Sequence, residues 1–198
     1  MLDFVSEYFA EVQNIAGKID KEKIEEIVEV LSNTRQNNGR VFVLGIGGSA
    51  SNAGHFVNDL RKLCHIDAYA PTDNVGELTA RANDDGFNTI FTEYLKISKL
   101  NNKDVVFVLS VGGGSVIANV STALVEAITY SLTKNAKVVG IVGKPDGYAA
   151  KFGDPVVVVP SPDLTYVTRV TPHSEAFQAV IWHCIVSHPG LQVKKTTW

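Results

Sequence analysis

Cysteine is scarce in this chain. Cys64 and Cys184 are the only two among 198 residues, and neither stands in a Cys-x-x-Cys or other metal-finger spacing. With no signal sequence at its start, the chain carries two lone thiols that fit a reducing compartment, so the expected localisation is cytoplasmic. No apolar run approaches the ~20 residues that a membrane span requires, and no membrane partner is expected. Charge of one sign is also missing. The net charge is −3 with no block of like charges, which leaves no electrostatic footprint for nucleic acid or an anionic membrane surface. There is no low-complexity tract, and no repeat with a period of 20–50 residues. What remains is 45% apolar and 20% charged. That is enough to bury a sizeable core as one domain, or as one domain with an appended helical hairpin.

The chain is organised around residues 41–59. Four apolar residues, Val41 to Leu44, read as a buried strand. They run into a glycine-rich turn of Gly45, Gly47, Gly48 and Ser49, and then into the start of a helix carrying His55 and Asp59. Glycines let a backbone approach a ligand closely and adopt positive φ. A helix start aims free N–H groups and the positive end of a dipole at that ligand, which suits an anion such as phosphate. His55 and Asp59, four residues apart, share one helix face just behind the turn. A phosphate cradle beside two ionisable groups points to an enzyme acting on a phosphorylated small molecule.

Two amphipathic helices precede this stretch. Residues 1–18 carry Leu2, Val5, Phe9, Val12 and Ile15 at spacings of three and four, and residues 20–38 begin at a capping Asp20 and stop at Asn37-Asn38-Gly39. Their apolar surface either packs on the core or serves a partner subunit. Beyond them strands and helices alternate. Strands are expected at 40–44, 66–70, 104–109, 137–142 and 155–159. Helices are expected at 51–63, 75–83, 89–100, 117–133 and 174–186. Such alternation gives an α/β fold: a parallel, doubly wound sheet with helices on both faces.

Gly45-x-Gly47-x-x-Ala50 also fits the dinucleotide fingerprint, with Asp67 available as the ribose acid. Against that reading stands a second glycine turn, Ser110-Val111-Gly112-Gly113-Gly114-Ser115, again directly after a buried strand. A dinucleotide domain needs one such turn; two at strand ends suggest one crevice gripping a single small ligand from both sides. On the last helix, Glu175 and His183 lie eight residues apart among Phe177, Val180, Ile181, Trp182 and Ile185. Ionisable groups on so apolar a helix need partners. Structural pairing and chemistry both remain open for them. Eight helical residues span ~12 Å, so Glu175 and His183 either lean together or flank a substrate.

Taken together, Gly45 to Ser49 with His55 and Asp59, Asn83 to Phe87, Ser110 to Ser115, and Glu175 with His183 resemble the sugar isomerase (SIS) domain family, over about residues 1–190. The resemblance implies one SIS-type, flavodoxin-like domain over 1–198, with helices at 1–38 and an α/β core at 39–198. It also implies an aldose–ketose isomerase of a sugar phosphate, its nearest match being sedoheptulose 7-phosphate to D-glycero-D-manno-heptose 7-phosphate through an enediol. Implied substrate contacts are Ile46, Gly47, Gly48, Ser49, Asp59, Asn83, Asp84, Ser110, Val111, Gly112, Ser115 and Glu175. An implied zinc ion falls to His55, Asp59, Glu175 and His183, and the implied proton-transfer pair is Asp59 as base with His183 as acid. A homotetramer with sites at subunit interfaces follows from the same resemblance. The alternative it carries is a non-catalytic sugar-phosphate sensor or adaptor. Several positions depart from the family pattern. Ile46 stands for Asn, Val111 and Gly112 for hydroxyl residues, Asp59 for Glu and Glu175 for Gln, and two extra residues follow Ser115.

Overall fold

The computed structural model describes residues 3–161 and 169–196. Five parallel strands form one sheet: β1 (Arg40–Leu44), β2 (Asp67–Tyr69), β3 (Val105–Ser110), β4 (Lys137–Val142) and β5 (Val156–Val158), in the order β2-β1-β3-β4-β5. Every strand falls where the alternation placed it, within a residue or two at each end. The strands read as unbroken apolar runs because both sheet faces are covered. All six residues of β3 are buried, and successive side chains enter opposite cores. Val105, Phe107 and Leu109 join the cluster beneath α2 (Lys21–Gln36), α3 (Gly48–Cys64) and α8 (Val170–Ser187). Val106 and Val108 join the other cluster, beneath α5 (Ile90–Ile97), α6 (Thr122–Thr133) and α7 (Tyr148–Phe152).

Helix α1 (Phe4–Lys18) starts at Asp3, whose carboxylate caps the Ser6 amide, and α2 starts at Asp20, which caps Lys23. Of the apolar residues predicted on the first helix, Leu2 lies outside the described residues. Ile15 is buried, whereas Phe4, Val5 and Phe9 are each about 60% exposed. The surplus apolar surface is therefore real, and the described residues leave it exposed. Glu11 ties α1 to the start of α8. It accepts a bidentate pair of bonds from Arg169 and sits 2.7 Å from His173 Nε2. Hydrogen bonding from Arg169 holds the Glu11 carboxyl below its usual range, with burial opposing and His173 assisting.

Three differences from the sequence reading affect the site. The helix expected from residue 174 begins four residues earlier, at Val170, with Pro172 in its first turn, where a missing N–H is tolerated. The helix expected from residue 117 begins at Thr122. Residues 115–120 instead close a tight loop in which Ser115 and Val120 exchange both backbone hydrogen bonds. β-branched Val116 and Ile117 disfavour a first helical turn, and Asn119 and Ser121 both take left-handed backbone conformations. The short helix α7 falls in a segment that the sequence presented as a strand connection.

Candidate active site

Strand order β2-β1-β3 reverses direction between β1 and β3, and ligands of open α/β sheets collect beyond the strand ends at such a point. The two glycine turns meet there. A cavity of about 380 Å³ is walled by Ile46 and Ser49 after β1, and by Ser110, Val111 and Gly112 after β3. Val120 and Ser121 at the start of α6, Lys144 after β4, and Val170, Thr171 and Glu175 on α8 complete it. Gly47 supplies the positive φ, +64°, that opens α3. Of the substrate contacts implied by the sequence, Ile46, Ser49, Ser110, Val111, Gly112 and Glu175 line this cavity directly, and Gly47 and Gly48 belong to the turn between them.

Four implied contacts lie elsewhere: Asp59, further along α3, and Ser115, Asn83 and Asp84. The Ser115 amide donates to the Val120 carbonyl and the Ser115 hydroxyl accepts from the Ala118 amide, both within their own loop, and Ser115 does not line the cavity. Ser121 stands at the cavity in its place. It precedes the first turn of α6 and makes no side-chain capping bond. Asn83 and Asp84 end helix α4 (Val75–Asp84), exposed, with the Asn83 amide donating to Asp84 Oδ1, and they do not reach this cavity within one chain. Motif reading missed Ser121, Lys144 and Thr171. The missed loop hid the first, and no glycine pattern announces the other two.

Helices α3 and α8 run side by side from the cavity. The Asn52 side-chain amide on α3 donates to the Glu175 carbonyl and to Gln178 Oε1, both on α8, which fixes their register. Two consequences follow. Glu175 comes to rest over the α3 N-terminus, so close that a Cβ on Gly48 would collide with its carboxylate. A carboxylate is favoured there by the dipole and the free amides. Further along, Asp59, His55 and His183 converge, one donor atom of each lying within 4.8 Å of the others. His55 Nε2 stands 3.8 Å from Asp59 Oδ2, and the His55 and His183 rings meet edge to face at 5.3 Å. Asp59 is only 9% exposed, and its Oδ1 accepts from the Asn58 side chain. His183 Nδ1 lies 2.8 Å from the Ala179 carbonyl. A carbonyl only accepts, so Nδ1 carries the proton, which leaves the Nε2 lone pair free for a metal or a proton.

The structure therefore brings together three of the four implied metal ligands. Glu175 is set apart with the cavity, about two helical turns from His183, as the ~12 Å rise of eight residues requires. Two imidazoles and a carboxylate are a donor set that suits zinc with one position left open for substrate.

Gly112 provides a clean test of the cavity. A Cβ added there meets nothing within 4 Å, and its backbone needs no positive φ, whereas Gly113 sits at +70°. Gly112→Val is expected to leave the thermal midpoint in place and to raise the Michaelis constant for a sugar phosphate ~10-fold or more, because the added side chain obstructs the cavity beside the residue 112 amide and blocking one hydrogen bond to a charged group costs about that much. Steady-state kinetics beside a thermal melt measure both.

A family model described as SIS domain matches residues 7–143. Among similar proteins, phosphoheptose isomerase 1 of Campylobacter jejuni is 31% identical over 177 residues, covering 86% of this chain and 91% of that protein. Phosphoheptose isomerase of Syntrophotalea carbinolica is 29% identical over 82% of this chain and 84% of its own length. The solved structure of phosphoheptose isomerase from Neisseria gonorrhoeae superposes with a TM-score of 0.77 at 23% identity, covering 92% of this chain and 95% of that one, which is a likeness of fold.

Proposed function

Because the chain belongs to the SIS domain family, we propose that its cavity and His/Asp cluster form the active site of a sugar-phosphate aldose–ketose isomerase. Sedoheptulose 7-phosphate is its substrate and D-glycero-D-manno-heptose 7-phosphate its product. Two curated phosphoheptose isomerases matched over most of their length support that substrate. The observation that carries the reading in the molecule itself is the placement of the two subsites. An anion cradle lies at one end of the α3–α8 pair, and ionisable groups lie seven or more residues further along it. The rise from Gly48 to His55 is ~10 Å, a separation that an extended sugar phosphate bridges and a triose phosphate does not.

In this reading the phosphate rests against Ser49, Ser110, Gly112 and Ser121, and the carbonyl end lies between Asp59 and His183. Asp59 takes the proton from C1 of the ketose while the C–H electrons form the C1–C2 double bond, and His183, when its Nε2 carries a second proton, delivers that proton to O2. The resulting enediol loses its O1 proton and receives one at C2, giving the aldose. Each positioned proton transfer contributes ~10²–10⁴-fold. A zinc ion held by His55, Asp59 and His183, with the His183 Nε2 lone pair serving as ligand in place of that proton, would polarise the carbonyl and hydroxyl oxygens as a Lewis acid. Incubation with sedoheptulose 7-phosphate in D₂O, followed by proton NMR, tests the whole. An aldose product that loses its C2 proton signal through solvent deuterium is expected. Binding without turnover would favour the sensor or adaptor alternative.

The reading extends to assembly and location. Exposed Phe4, Val5 and Phe9 on α1, with His55 and His183 also open to solvent, support a homotetramer whose sites lie at subunit boundaries. From such a boundary Asn83 and Asp84 would meet the sugar hydroxyls. Light scattering at micromolar concentration is expected to give a mass near four chains; a monomer would contradict it. No helix among the described residues is long and apolar enough to cross a membrane, and the free thiols support a cytoplasmic setting.

A further inference from the structure

The cavity faces a charge problem that the glycine turns do not solve. A sugar phosphate brings close to two negative charges near neutral pH, and Glu175 already places a carboxylate on the wall. That carboxylate also covers the α3 N-terminus, the nearest positive pole. On the other side, Val111 and Gly112 offer no side-chain donor, and Ser115 does not line the cavity. The hydroxyls on the cavity wall are those of Ser49, Ser110, Ser121 and Thr171. Ser110 Oγ accepts from the Gly113 amide and keeps its own proton to donate. Among the described residues lining the cavity, Lys144 is the one cation.

Its backbone is held as a binding group requires. The Gly143 amide donates to the carbonyls of Ser110 and Val111, at the very turn the phosphate would meet. A Cβ on Gly143 would collide with Ser174 Oγ, so the chain is pressed against the start of α8. Just beyond, the amides of Tyr148 and Ala149 donate to the carbonyls of Gly114 and Gly113. The segment after β4 is thus fastened at both ends to the turn after β3. Lys144 projects from between those fastenings with no ion pair among the described residues.

We infer that Lys144 is the residue that binds the substrate phosphate by charge, opposite Ser121 and in place of the side-chain hydroxyls absent at 111 and 112. The inference rests on the proposed isomerase reading for its substrate, but not for its phosphate. Two variants, Lys144→Met and Lys144→Arg, are compared with the wild-type chain. The probes are inorganic phosphate, followed by calorimetry, and sedoheptulose 7-phosphate, followed by steady-state kinetics. Lys144→Met is expected to weaken inorganic phosphate binding ~10–100-fold, the range for a hydrogen bond to a charged group. The Michaelis constant should rise by a similar factor, with kcat within ~3-fold of wild type, the signature of uniform binding. Lys144→Arg, which keeps the charge, should recover most of the loss.

Unchanged phosphate affinity in Lys144→Met overturns the inference. So does equal loss in both variants, a fall in kcat with the Michaelis constant intact, or a wild-type chain that binds no phosphate. A wild-type chain that binds phosphate but turns over no sugar phosphate removes the isomerase reading alone, and the phosphate arm still decides Lys144.

Discussion

Asp59→Asn is expected to lower isomerisation ~10²-fold or more, the loss that follows removal of a proton-transfer group. The substitution keeps size and shape, and the Asn58 amide can still donate to the remaining carbonyl oxygen. What disappears is the charge and the basic lone pair 3.8 Å from His55. Substrate affinity should change little, because the phosphate cradle lies at the far end of α3. His183→Gln is expected to be comparably damaging. Since His183 Nδ1 is committed to Ala179, Nε2 serves either a metal or a proton, and metal content separates the two duties. Loss of bound zinc in His183→Gln would mark it as a ligand; retained zinc with lost turnover would mark it as the acid. The two substitutions should be far from additive, because groups acting as a unit fail together. Single-turnover isomerisation and metal content for both single variants and the double variant measure all of this. Near-normal turnover in Asp59→Asn with zinc bound would move the base to another residue, Glu175 first.

Trp182→Ala should have the largest effect on stability. Trp182 is fully buried, stacked on Phe56 at 5.6 Å and meeting the His55 ring edge-on at 4.6 Å. Phe56 in turn meets Phe107 of the central strand at 4.9 Å. Truncation leaves a cavity under the α3–α8 seam and costs about 3–5 kcal/mol. For a chain of this length that is roughly 6–20 °C in the thermal midpoint. It also removes the wall against which His55 is set, so zinc affinity should fall with stability. Trp182→Phe keeps most of the contact and should recover most of the midpoint. Its buried Nε1 has no hydrogen-bond partner among the described residues, so losing the indole N–H costs little. Circular dichroism melts with zinc titration check both variants. A midpoint for Trp182→Ala within 2 °C of wild type, well under the roughly 6 °C floor, would show that the seam does not depend on this ring.

The sequence by itself determined the sheet, its parallel sense and the two turns that make the crevice. A fully buried strand must be apolar throughout, and a tight strand-to-helix turn must be glycine-rich, so both constraints are written locally. Helical spacing also put His55 and Asp59 on one face of α3, whereas His183 and Glu175 were joined to them only by what the resemblance implied. Only the tertiary structure decided what depends on two elements meeting. The Asn52 bridge to Glu175 and Gln178 sets the slide of α8 along α3, and that slide sends Glu175 to the phosphate end and His183 to the metal end. No spacing within α8 specifies its slide. The hairpin bond between Ser115 and Val120 removed Ser115 from the cavity and put Ser121 there, because a closed loop satisfies backbone groups that a helix start would have left open. Lys144 joined the site for the same reason. Its segment is held by carbonyls of a turn some thirty residues earlier, and such a contact exists only once the sheet has formed.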